Sequence, residues 1–209
     1  MAELTLYTNP MSRGRIARWM LEEIGEPYDV KILDFGPPMK NDDYCAINPM
    51  GKVPALRHGA HVVTEAAAIC AYLAETFPQA GLAPQPEERA DYYRWMFFAA
   101  GPVEAALSNH ALGLEPPADK SRMIGYGSYG SVVDTLEKAV SRHPYIAGER
   151  FTAADVYVGS HVSWGMQFGT LPPRPAFTAY SDRLKNREAL KRAFRLDNEA
   201  AENMNKASA

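Results

Sequence analysis

Cysteine is scarce in this chain. Cys45 and Cys70 are the only two, they form no C-x-x-C pair, and no Cys/His cluster accompanies them, which argues against a disulfide framework or a structural zinc site. Two free, buried thiols are expected instead. Long apolar runs are missing too, since nothing approaches the roughly 18 uninterrupted apolar residues that cross a bilayer. Nor does charge of one sign accumulate. With 22 Lys and Arg against 25 Asp and Glu, a net charge of -3, spread along the sequence, there is no basic face for nucleic acid or an anionic membrane. The opening "MAELTLYTN" has neither the basic flank nor the apolar core of a secretory signal, so a cytoplasmic location is expected.

What is present falls into two halves of different character. "ELTLY" alternates at period two, as a strand does, and from Ser12 to Gly25 the residues Ile16, Met20 and Ile24 recur at spacing four beside Ala17 and Trp19, one buried helix face. "PYDVKIL" reads as a second strand, Gly36 to Asp43 as a loop, and "KVPALRHGAHVV" as two short strands joined around His58-Gly59. "EAAAICAYLAETF" is helical and closes at Pro78. The order predicts an α/β domain over residues 1–78. Pro- and Gly-rich residues 79–86 suit an exposed linker. Residues 87–209 show almost no period-two alternation and predict an all-helical domain, with helices over "ERADYYRWMFFAAGPVEAALSN", Asp119 to Arg142, "TAADVYVGSHVSWGMQF" and Ala176 to Met204. Thr152 and Asp155 form a short capping box at the third of these, with Phe151 able to staple onto Val156.

Three stretches carry chemistry. Where the first strand passes through Tyr7-Thr8-Asn9-Pro10 into a helix near Ser12, unpaired amides and the positive end of the helix dipole point at whatever lies there. Such a mouth suits an anion, with the Ser12 hydroxyl as a further donor and Arg13 or Arg15 adding positive potential; Ser12 as a simple helix cap fits this segment equally well. In "NPMGKVPALRHG", Pro54 precedes an apolar strand, where it belongs at an edge or turn. A cis Val53-Pro54 bond there would turn the Val53 amide and carbonyl outward. In "VVTEAAAICAYLAE", Glu65 opens a helix whose first amides can receive a carboxylate.

In this order and spacing, the three stretches resemble the cytosolic glutathione S-transferase family over nearly the whole chain. "GKVPAL", followed by an acid opening an "AI..YL" helix, is similar to that family's glutathione-site signature. The resemblance implies a thioredoxin-like first domain, a helical second domain with an apolar substrate pocket, a homodimer, and glutathione as co-substrate without a metal. It also implies roles for single residues. Pro54 would be the cis-proline and Val53 would pair its backbone with the cysteinyl part of glutathione. Glu65 would hold the γ-glutamyl amine, and the Ala66 amide the γ-glutamyl carboxylate. Lys40 would reach the glycyl end. Ser12 best fits the position of the residue that activates the thiol, with Asn9 and Tyr7 as the other candidates, Tyr7 directed into packing. The activity so implied is addition of the glutathione thiolate to small apolar electrophiles, or glutathione-dependent peroxide reduction, in detoxification. The alternatives are a non-catalytic glutathione-binding or structural protein and a glutathione-dependent disulfide reductase.

Two departures matter. Ala66 stands where relatives usually carry Ser, and one lost charge-assisted hydrogen bond is worth about 1.5–3 kcal/mol. No cysteine lies at positions 9–13, where reductases of the family place a thiolate at the helix start. The nucleophile must then be glutathione's own sulfur. "GYGSYG", Gly125 to Gly130, matches G-x-G-x-x-G but follows no strand, so it does not read as a dinucleotide site; Tyr126 or Tyr129 is instead expected near the electrophile.

Overall fold

A computed structural model describes residues 3–207. Two compact units emerge, one formed by residues up to Leu82 together with those from Asn186, the other by Ala83–Lys185.

The first unit is built on a four-stranded sheet in the order β2-β1-β3-β4. Strand β1 (Leu4–Thr8) is central and buried along its whole length, as expected of a strand covered on both faces. Strand β2 (Tyr28–Ile32) runs parallel to it, while β3 (Ala55–His58) and β4 (His61–Thr64) follow antiparallel. Helix α1 (Gly14–Ile24) buries Ile16, Met20 and Ile24, the predicted face; each such side chain contributes roughly 1.5–3 kcal/mol when fully buried. It stops at Gly25, whose φ of 74° accommodates the left-handed cap and whose amide donates to the Leu21 carbonyl at 3.1 Å. Gly14 is required for space, because a Cβ there would overlap Thr8 Oγ1. Helix α3 (Ala66–Thr76) follows β4. The expected thioredoxin-like arrangement is therefore present.

Two features depart from the sequence reading here. The Gly36 to Asp43 stretch, read as a loop, holds a 3-10 turn at Pro37–Met39 and a short helix α2 (Asp42–Cys45) capped by the Asn41 side chain, which accepts the Tyr44 amide at 2.8 Å. The last helix does not group with the helical half, as the boundary 87–209 had it. Helix α9 (Glu188–Ala207) packs with α1. Buried Arg18 donates to Asp197 at 2.7 Å, Arg187 grips Glu23 at 2.6 and 2.7 Å, and Arg192 reaches Glu22 at 3.0 Å.

The second unit is helical: α4 (Arg89–Phe98), α5 (Glu104–Ala111), α6 (Tyr129–Arg142), α7 (Ala153–Gln167) and α8 (Pro175–Leu184). The helix expected from Glu88 to Asn109 is interrupted by a π-helical segment, Ala99–Val103. Pro102 has no amide to donate to Phe98, so the regular ladder fails there and the turn widens. The helix expected from Asp119 to Arg142 is likewise divided into a 3-10 turn at Ala118–Met123 and α6. Gly125 and Gly127 lie in the intervening turn, with Gly127 at φ 72°. Helix α7 is the core of this unit, its residues 153–162 all buried. Its capping box forms as predicted, Thr152 and Asp155 bonding reciprocally. Among the described residues no helix is long and apolar enough to cross a membrane.

Candidate functional site

The sheet register brings the three stretches to one edge. Tyr7 pairs with Ala55, and Ala55 with Thr64. One residue beyond that row lie Thr8, Pro54 and Glu65. Neighbouring strands stand about 4.8 Å apart, so the ends of β1, β3 and β4 present a row roughly 10 Å wide, the reach of a short peptide. The Val53-Pro54 bond is cis. Val53 is half-buried and its amide and carbonyl take no backbone partner among the described residues.

The start of α3 is open. Glu65 occupies the cap position with φ 67° and ψ 119°, and it is the one described residue other than glycine with positive φ. Such a conformation costs on the order of 1–3 kcal/mol and recurs at ligand clamps. Glu65 makes no side-chain cap, and its carboxylate is exposed. Its carbonyl receives the Ile69 amide at 2.9 Å, while no bond is formed by the amides of Ala66, Ala67 and Ala68 among the described residues. Three amides and the positive end of a helix dipole thus stand beside a carboxylate, a pairing suited to a ligand that carries an ammonium and a carboxylate together.

The start of α1 differs from the expectation of unpaired amides. Asn9, buried, accepts the Met11 amide on Oδ1 at 2.9 Å and donates from Nδ2 to the Leu33 carbonyl at 2.8 Å. Its own carbonyl receives the Ser12 amide at 3.1 Å and the Ser12 hydroxyl at 2.7 Å. Ser12 Oγ in turn accepts the Gly14 amide at 2.9 Å. The short polar side chains that mark this turn therefore saturate it. Arg15 also departs from the expectation. It donates to the Pro10 carbonyl and to Asn198, the latter at 2.9 Å, and its guanidinium lies 5.6 Å from the Phe194 ring centre, so it serves the α1–α9 contact.

Tyr7 is buried with Met39, Tyr44 and Ala55, in packing as expected. Lys40 is exposed and donates to the Met50 carbonyl at 2.8 Å. Cys70 is fully buried and burial pushes its thiol up, which leaves it inert. Cys45 lies in α2, 3.9 Å from the Met39 carbonyl, and is only half-buried, where a buried thiol was expected. Two supports escaped the sequence reading altogether: Tyr44 and Asn48, both buried, bond to the Lys52 carbonyl. The only hint was the Asn-Pro turn signal itself.

The helical unit contains a cavity of about 410 Å³, lined by residues of α5, α6 and the turn between them, including His110, Glu115, Tyr126 and Tyr129. Ligand pockets commonly measure about 300–1,000 Å³. Its wall is held in place: the His110 and Tyr129 rings stack at 3.9 Å, Tyr129 donates to the Thr170 carbonyl at 2.9 Å, and Asn109 donates to the Tyr126 hydroxyl at 2.9 Å.

Residues 2–75 match the model of the glutathione S-transferase N-terminal domain and residues 113–188 that of the C-terminal domain. Glutathione S-transferase 3 of Zea mays is 30% identical over 198 residues, covering 88% of this chain and 87% of that one. A disulfide-bond oxidoreductase, YghU of Escherichia coli, is 27% identical over 170 residues, covering 74% of this chain and 58% of that one. A crystal structure of a glutathione transferase homologue from Sulfitobacter with bound glutathione superposes with a TM-score of 0.74 at 27% identity, covering 91% of this chain and 96% of that one. The chain belongs to the glutathione S-transferase family.

Proposed function

We propose that the protein is a glutathione transferase that adds the glutathione thiolate to small apolar electrophiles. The observation that carries this reading is the open, strained start of α3 beside the unpaired Val53 backbone. In this reading Glu65 takes the γ-glutamyl amine, the Ala66 amide its carboxylate, Val53 the cysteinyl backbone and Lys40 the glycyl end, with Pro54 shaping the loop and Asn9 ordering the turn that carries Ser12. The thiolate attacks carbon, a sulfur–carbon bond forms, the leaving group departs with its electron pair, and the thiol proton goes to solvent.

Ser12 is the activating residue proposed. Its oxygen stays fixed by the Gly14 amide while the hydrogen swings from the Asn9 carbonyl to the sulfur. A free thiol of pKa about 8.5 is only a few per cent ionised at neutral pH, so each unit of depression raises the thiolate almost tenfold. An apolar partner is supported within the first unit by Met11 and Phe35, 72% and 59% exposed, which follow the ends of the paired strands β1 and β2. Within the helical unit, the cavity with Tyr126 and Tyr129 in its wall is proposed as the apolar pocket expected of the second domain. Dimer formation and a cytoplasmic place in detoxification accord with the family.

A glutathione-dependent disulfide reductase is the second reading, favoured by the likeness to the Escherichia coli oxidoreductase. In that reading, with Cys70 buried and no cysteine at the start of α1, glutathione supplies both thiols. Parallel assays with an aryl halide and with a small disulfide test the choice. The transferase reading expects conjugation well above the uncatalysed rate; disulfide reduction alone selects the second reading, and glutathione binding without either turnover selects a binding protein.

A further inference from the structure

We infer that Tyr44 and Asn48 are positioning residues that aim the Val53 amide at the ligand, an inference resting on the glutathione reading above. The Tyr44 hydroxyl donates to the Lys52 carbonyl at 2.6 Å and Asn48 Nδ2 donates to the same oxygen at 2.7 Å. Both side chains are 4% exposed. The Lys52-Val53 peptide is trans, since Val53-Pro54 is the one cis bond among the described residues. In a planar trans peptide the carbonyl and the following N–H point in opposite directions. Two buried donors pulling the Lys52 oxygen inward therefore turn the Val53 N–H outward, away from Tyr44 and Asn48.

The two donors are themselves fixed. The Tyr44 ring packs in the cluster with Tyr7, Met39 and Ala55, its centre 5.8 Å from that of Tyr7. Burial pushes its hydroxyl up to about 12, so it remains a donor throughout the working range of pH. Asn48 closes the turn around itself: its amide donates to the Tyr44 carbonyl at 2.8 Å, its Oδ1 accepts the Met50 amide at 3.1 Å, and its carbonyl accepts the Gly51 amide at 2.7 Å. Gly51, at φ 56°, completes a turn in which a Cβ would overlap the Met39 carbonyl. Neither side chain belongs to the exposed edge, yet together they fix the orientation of the one peptide group that a cysteinyl backbone would meet.

The test is glutathione binding and steady-state kinetics of wild type, Tyr44→Phe and Asn48→Ala, with thermal melting of each. Tyr44→Phe keeps the ring and removes one donor. By the usual net worth of a hydrogen bond, its Kd and KM for glutathione should rise about 3- to 10-fold, with kcat at saturation within about twofold of wild type. Its melting should stay close to wild type, and in nitrogen-resolved NMR the shift of the Val53 amide signal on adding glutathione should shrink. Asn48→Ala should raise Kd further. Should that variant fail to fold, Tyr44→Phe alone decides. Wild-type binding with an unchanged Kd and Val53 signal in Tyr44→Phe would overturn the inference and leave the glutathione reading standing. Wild type that ignores millimolar glutathione would overturn both.

Discussion

Among the helix starts that carry an acid, those of α7 and α3 treat it in opposite ways. At the start of α7, Asp155 is fully buried and its two oxygens receive the Ile146 amide at 2.7 Å, the Thr152 amide at 2.9 Å, the Thr152 hydroxyl at 3.1 Å and the Tyr180 hydroxyl at 2.8 Å. At the start of α3, Glu65 is exposed, holds a strained backbone and leaves three amides unused among the described residues. A helix start completed by side-chain bonds holds a fold together; one left incomplete in a strained conformation suits a ligand. The start of α1 lies between the two, its turn closed by Asn9 and Ser12 while Ser12 itself stays half-buried.

The largest effect should come from the closed start. Asp155→Ala strands several buried donors and should lower unfolding free energy by about 3–5 kcal/mol in chemical denaturation. Glutathione affinity of the folded fraction should be unchanged. Burial, opposed by those four bonds, pushes the Asp155 carboxyl up to about 6, above its ordinary 3.8. The native state therefore binds this proton more tightly than the unfolded chain, and the associated stability is complete below about pH 4 and lost as pH rises through 6. A two-unit shift corresponds to roughly 3 kcal/mol. Stability curves of wild type and Asp155→Asn should accordingly converge in slope above pH 6 and diverge between 4 and 6.

The open start should respond in the reverse sense. Glu65→Gln removes the charge proposed to face the γ-glutamyl amine and should weaken glutathione binding roughly 10- to 150-fold, with little change in melting. Ser12→Ala tests the intermediate case. Turnover should fall about tenfold near pH 6.5 and much less near pH 9, where glutathione ionises unaided. A loss equal at both pH values would assign Ser12 to the turn alone. Ala66→Ser is the one gain in affinity expected, adding a hydroxyl beside the proposed carboxylate position and tightening glutathione roughly tenfold or more.

Much of this organisation was legible in the sequence because it is local. Ile16, Met20 and Ile24 advertise α1 by spacing alone, Gly25 ends it through its left-handed freedom, and Thr152 with Asp155 marks α7 within four residues. The outward-facing turn at Val53-Pro54 and the helix start at Glu65 and Ala66 were each legible locally, but their assignment to a single ligand came only through family resemblance. What escaped depends on distant partners. The pairing that docks α9 on α1 joins Arg18 to Asp197 across 179 residues, and no periodicity announces it. The π segment follows from one missing amide at Pro102, which a pattern of apolar residues does not register. The saturation of the α1 start also escaped, because Asn9 and Ser12 are equally good at capping a turn and at binding a ligand, and only their hydrogen-bond partners tell which.

The most direct test is calorimetric titration of glutathione into wild type and Glu65→Gly, with melting of both. Glycine adopts a φ of 67° without strain, so the variant should melt higher than wild type while its glutathione heat disappears at concentrations that saturate wild type. Equal affinities in the two proteins, or no binding by wild type, would contradict the account.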